Sequence, residues 1–145
     1  MDWERLSERP GQDPYLQELA LFLDAHFART FGLVWPENEP VVPRGTGGPP
    51  DTVLARYVAD GLTALLGWRV EHAAGPRPPS GHLLVIQSAG SSRWTLRSSG
   101  DPAAEVSTLS GEALYVPPGY RSSAVHSDDA RHVVLVVTEA EGAQA

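Results

Sequence analysis

Apolar residues change their period once along this chain. Leu16, Leu19, Leu23 and Phe27 fall on one helical stripe. Asp13-Pro14 ahead of them supplies a capping carboxylate and a proline suited to the first helical position. This predicts a helix over residues 15–31, stopped by Gly32. A second helix is predicted over about residues 52–66, capped by Asp51 and ended by Gly67, with Leu54, Tyr57, Val58, Leu62 and Leu65 at helical spacing. Between them, residues 35–50 (WPENEPVVPRGTGGPP) carry too many prolines and glycines for a regular element. They read as a loop pinned by Trp35, Val41 and Val42.

From Trp68 onward the pattern shifts to short strands separated by turn residues: 68–73, 82–88, 93–97, about 104–109, 114–116, 122–127 and 133–137. Pro117-Pro118-Gly119 ends one strand, because proline has no ladder donor and glycine accepts positive φ; Asp128-Asp129 makes the next turn. Strands at this spacing predict a sandwich or barrel. The fold class expected is α+β, mainly β with two N-terminal helices, in one domain over 1–145: a helical part (1–67), a β part (68–139) and a tail (140–145). On the last strand Val133, Leu135 and Val137 form the expected inward set. Tyr15, Leu21, Phe22 and Phe31 spread the apolar surface of the first helix around most of its cylinder. That is more than one core-facing side needs, so the helix is either wedged between two layers or paired with a second copy of the chain.

A chain of 145 residues suffices for a single core. Its net charge of −7, with the basic residues scattered, disfavours binding through phosphate neutralisation. All 11 basic residues are arginine, so Schiff-base chemistry and a lysine base are excluded. There is no cysteine, hence neither disulfide nor thiolate ligand. The charged start, MDWERLSERP, lacks an apolar signal core, and a cytoplasmic protein is expected. Gly47-Gly48 is followed by prolines rather than by a lysine-bearing helix, and the paired serines lie in turns without a nucleophile elbow.

Two stretches are more specific. GEALYVPPGY, from Gly111, resembles the Gly-Asp-x-Leu-Tyr-x-Pro-x-x-Trp-x-His element of the JmjC and asparaginyl-hydroxylase-like branch of the cupin superfamily. HLLVIQSAGSSRWTL, from His82, is similar to the Phe-x-x-Gln-x-x-Gly-x-Lys-x-Trp of the same branch, with Gln87, Gly90 and Trp94 in order and spacing. The resemblance implies a small cupin-like double-stranded β-helix, or jelly-roll barrel. Active members hold Fe(II) with a His-x-Asp pair and a later histidine, a facial triad that leaves sites open for 2-oxoglutarate and oxygen. The corresponding positions here are Arg77, Pro79 and Ser122, and the cosubstrate lysine falls at Ser92. None of these replacements is a good metal ligand. The resemblance therefore implies a truncated member without metal or other cofactor, and not an enzyme. The competing reading relocates the triad to His82, His126, Asp128 and His132; against it, Asp128 belongs to a turn and strand histidines are commonly half exposed.

If the ion is gone and the groove kept, peptide binding is what remains. Arg77, Arg93, Trp94, Tyr120 and Arg121 are the candidate contacts, since aromatic and arginine side chains anchor interfaces. For each alone, the alternative is a packed tryptophan or a solvated arginine. An edge strand beside the groove would also accept a peptide by strand addition. Metal-free members of this kind in bacterial gene clusters hold or regulate processing of a precursor peptide of a modified natural product. The resemblance carries that expectation here, with homodimerisation through residues 15–31. A cupin oxygenase or isomerase with displaced ligands, and a small-molecule-binding cupin, are the alternatives.

Overall fold

In a computed structural model, the structure describes residues 13–40, 50–73 and 81–138. Helix α1 (Pro14–His26) begins as its sequence predicts: the Asp13 carboxylate accepts the Tyr15 N–H at 2.9 Å, and Pro14 takes the first position. It ends at His26, well short of the expected Phe31. The reason lies far along the chain. The Tyr115 hydroxyl accepts the Ala28 N–H at 2.9 Å and Ala28 sits at φ 61, so a tertiary hydrogen bond draws the backbone out of the helix. The chain then extends as β1 (Gly32–Val34), a strand that the apolar pattern did not signal. A Cβ on Gly32 would lie 2.7 Å from the His26 ring, which explains a glycine at this sharp return.

Helix α2 (Pro50–Leu66) starts ahead of the expected cap, so Asp51 lies inside its first turn, where its carboxylate accepts the Ser88 hydroxyl at 2.9 Å; the helix stops as expected at Gly67, whose φ of 73 suits glycine. It approaches α1 closely at Gly61. Asp13, buried at the start of α1, also accepts the hydroxyl of Tyr57 on α2. Burial first, and then that carboxylate, push the Tyr57 pKa upward, which keeps the hydroxyl a donor. The segment after β1 is not pinned by Trp35, which is 75% exposed. The Glu18 carboxylate holds it instead, accepting from Glu37 N–H at 2.7 Å and Asn38 Nδ2 at 2.8 Å. Val41 and Val42 lie outside the described residues.

Seven further strands follow: β2 (Arg69–His72), β3 (His82–Ala89), β4 (Ser91–Ser98), β5 (Ala104–Leu109), β6 (Ala113–Val116), β7 (Tyr120–His126) and β8 (Arg131–Thr138). They form two antiparallel sheets, ordered β1-β6-β3-β8-β2 and β5-β4-β7. The connections β3–β4, β5–β6, β6–β7 and β7–β8 each carry the chain from one sheet to the other, the jelly-roll habit of closing a sandwich by crossing it.

The central strands of the five-stranded sheet, β3, β6 and β8, are covered on both faces. Leu84, Ile86, Ala113, Tyr115, Val133, Leu135 and Val137 pack with Leu16, Leu19, Leu23, Val58 and Leu62 of the helices. Val85, Leu114 and Val116 pack on the other side with Trp94 and Leu96 of the smaller sheet. This corrects the expected inward set of the last strand. Val133, Leu135 and Val137 meet the helices, while His132 and Val134 face the barrel interior. A strand buried on both sides is apolar in both phases, so its alternation does not say which phase points where.

A Cβ added at Gly61 would come within 2.4 Å of Leu16 Cδ1, and Leu16 is fully buried. Gly61→Ala gains about 0.5–1 kcal/mol of helix preference. Overpacking at such a contact costs about 1–3 kcal/mol. Chemical denaturation should therefore show a net loss near 1 kcal/mol, with a larger loss for Gly61→Val.

Candidate functional site

The interior of the barrel is polar at one end. Gln87 of β3 is 1% exposed and Thr108 of β5 is fully buried. The Trp94 indole is a donor only, so its bond to Thr108 Oγ1 at 3.0 Å fixes the direction of the rest. The Thr108 hydroxyl donates to Gln87 Oε1 at 2.9 Å, and Gln87 Nε2 donates to the Ala89 carbonyl at 2.8 Å. Gln87 and Trp94, two of the residues that carry the family resemblance, are thus coupled through a threonine that the motif does not include. Thr108 was legible only as the inward phase of its strand.

Beside this network two histidines meet. The register places Gln87 opposite His132 on β8 and Ser92 opposite His126 on β7. The imidazoles stack with centroids 4.9 Å apart at 16°, and both stand nearly perpendicular to the Trp94 ring, with centroids at 5.8 and 5.6 Å. Ser92 Oγ is hydrogen-bonded to His126 Nδ1 at 2.7 Å. Burial lowers the His132 pKa, the His126 charge lowers it further, and Asp51 opposes both. His126 and His132 flank the turn at residues 127–130, which packs on Gly90: a Cβ there would sit 2.6 Å from Ser127 Oγ and 2.7 Å from Ala130 Cα.

His82 does not join them. It lies on the helix side of β3, stacked on Phe27 at 3.9 Å, with Nδ1 at 2.7 Å from the Tyr115 hydroxyl. That hydroxyl accepts from Ala28, so its own hydrogen is left for His82. Asp128 is an exposed turn residue. Of the four residues weighed as a displaced triad, the structure brings two together. Among the described residues no group of three or more His, Cys, Asp or Glu side chains is arranged to hold a metal ion. Arg77 and Pro79 lie outside the described residues. Ser122 is exposed on β7, and Ser92 is engaged with His126.

The remaining candidate contacts fall on two faces. Trp94 is 7% exposed inside the barrel, and Tyr120 is half-buried against Phe31 at 5.7 Å, near the opposite end. Arg93 and Arg121 are exposed on the outer face of the three-stranded sheet. A separate cleft of about 500 Å³ opens on the helix side between Trp35, Glu39, Leu54 and the turn at Ser110–Gly111.

The two sheets and the helices define a small α+β jelly roll with helices over one sheet. No family model and no curated protein matches the sequence. Solved structures similar to this chain are members of the cupin superfamily. YcfD, a ribosomal oxygenase from Escherichia coli, is 22% identical, with a TM-score of 0.44 over 59% of this chain and 28% of its own. Acireductone dioxygenase from Bacillus anthracis is 14% identical, with a TM-score of 0.43 over 86% of this chain and 85% of its own. HEPD from Streptomyces albus is 14% identical, with a TM-score of 0.39 over 97% of this chain and 40% of its own. This chain therefore spans under a third of YcfD. Among the described residues no helix is long and apolar enough to cross a membrane.

Two outcomes follow from the interior. Thr108→Val keeps the shape but strands the Trp94 N–H and the Gln87 carbonyl; unpaired buried groups cost about 1–3 kcal/mol each, and urea unfolding should show a loss of about 3 kcal/mol. The lowered His132 pKa means that the unfolded chain binds more protons than the folded one below the ordinary imidazole value of about 6.5. Thermal stability should fall as pH drops from there through the folded value, and His132→Gln should flatten that fall.

Proposed function

We propose that this chain is a non-catalytic peptide-binding protein, one that holds a precursor peptide or regulates its processing during biosynthesis of a modified peptide natural product. The observation that carries the reading is the chemistry at the positions where the resembling oxygenases grip iron and cosubstrate. Arg77, Pro79, Ser122 and Ser92 stand there, and Ser92 is taken up by His126. What supports a polypeptide as ligand is the exposed Arg93 and Arg121 on a rigid β scaffold, with the half-buried Tyr120 at the barrel end. Homodimerisation through residues 15–31 and a cytoplasmic location belong to the same proposal. Phe22 and Leu23 are buried within one chain, so Leu21, 72% exposed, is the side chain of α1 left for a second copy to cover.

One observation favours a second reading, a metal-dependent cupin enzyme with displaced ligands: the His126 and His132 rings stack 4.9 Å apart where β7 turns into β8. Metal analysis of the purified full chain separates the two. The binding protein should carry no stoichiometric metal and should titrate calorimetrically with segments of its precursor at micromolar or tighter affinity. Iron, nickel or zinc at one equivalent, lost in His126→Ala, would establish the enzyme reading instead. Trp94 is unsuitable for this test because its removal opens the core; Tyr120→Ala is the informative aromatic substitution.

A further inference from the structure

The outer face of the three-stranded sheet carries charge of the sign opposite to the molecule's. Alternation on β4 sends Ser92, Trp94 and Leu96 inward, so Arg93 and Arg97 point out. On β7 the outward phase is Arg121, Ser123 and Val125; on β5 it is Glu105, Ser107 and Leu109. Register then sets Arg97 directly opposite Arg121, with Arg93 opposite Val125. Arg93 lies four residues along the same face, about 13 Å away at strand spacing. None of the three arginines makes an ion pair among the described residues. Glu105 is the one acidic side chain these strands put on that face.

Like charges directly opposite across a ladder repel. In a chain of net charge −7, a mixed surface could have placed any of several acids there. Two large apolar side chains share the face in the open: Val125 is 75% exposed and Leu109 56%. A groove of about 450 Å³ runs between them, with Arg93, Ser91, Ser107 and His126 in its walls and no acidic residue lining it. Three cations on one face, hydroxyl groups and isolated apolar knobs suit an extended chain whose side chains alternate between carboxylates and aliphatic groups.

The geometry points to this face as the docking surface for an acidic, partly apolar peptide, held by Arg93, Arg97 and Arg121 with Leu109 and Val125. The inference rests on the peptide-binding reading and adds the place and the class of peptide. Carboxylates bound here relieve the repulsion between Arg97 and Arg121. In their absence the sheet tolerates it.

The test uses the full chain and two fluorescent peptides of equal length, one alternating glutamate with leucine and one alternating lysine with leucine, followed by anisotropy. The glutamate peptide should bind and weaken as salt rises toward about 0.15 M, because exposed charges are screened there; the lysine peptide should not bind. Arg121→Glu and Arg97→Glu should each weaken binding about tenfold or more while raising the melting temperature, since each turns a like pair into an opposite one. That combination excludes misfolding as the cause. Equal binding of both peptides, or indifference to these substitutions, overturns the surface. If Tyr120→Ala abolishes binding while Arg97→Glu and Arg121→Glu do not, the chain is a peptide binder that uses the barrel end, and only this inference falls. If neither peptide binds and the chain self-associates in a way that Arg121→Glu dissolves, the face belongs to a second copy and the peptide assignment is wrong.

Discussion

Central strands buried on both faces leave little room for polar side chains, and that constraint governs this molecule. Strands β3, β6 and β8 each bury one phase under the helices and the other against the smaller sheet. The helices are thus the second wall of the core rather than an appendage, and their contacts with β2 and β8 close it. Removing either layer would expose one whole phase of the central strands, at about 1.5–3 kcal/mol for each large apolar side chain. The small sheet is different. It is covered on one face only, which frees its other face to carry arginine, serine and exposed aliphatic groups.

Much of this was legible in the sequence. The second helix and the seven strands from β2 onward could be read to within a few residues, because turns and periods agree there. Helix α1 was read too long, since the signal that ends it is a tyrosine hydroxyl eighty-seven residues away. No local pattern carries such information. The phase of β8 was assigned to the wrong face for a related reason: Val133 to Val137 are all apolar, and only the flanking His132 marks which side faces the interior.

The motif residues turned out to do mainly scaffold work. Tyr115 ties the loop after α1 and aligns His82 behind Phe27. Gln87 and Trp94 meet through Thr108, and no buried side-chain nitrogen or oxygen among the described residues is left unpaired. Tyr115, Gln87 and Trp94 thus belong to the buried framework of the barrel. The meeting of His126 and His132 follows from register, which places both at the end of strands joined by one short turn. Arginine outward and tryptophan inward on β4 is simple alternation, and it divides the candidate contacts between two faces.

Gly90 lies against Ser127 and Ala130, so the two turns that carry the chain between sheets at this end are wedged into each other. The sandwich therefore has no natural hinge there, and its aperture is set by the thickness of two interlocked loops. Lengthening either loop by a single residue would pry the rim apart, changing what can enter without altering any side chain within.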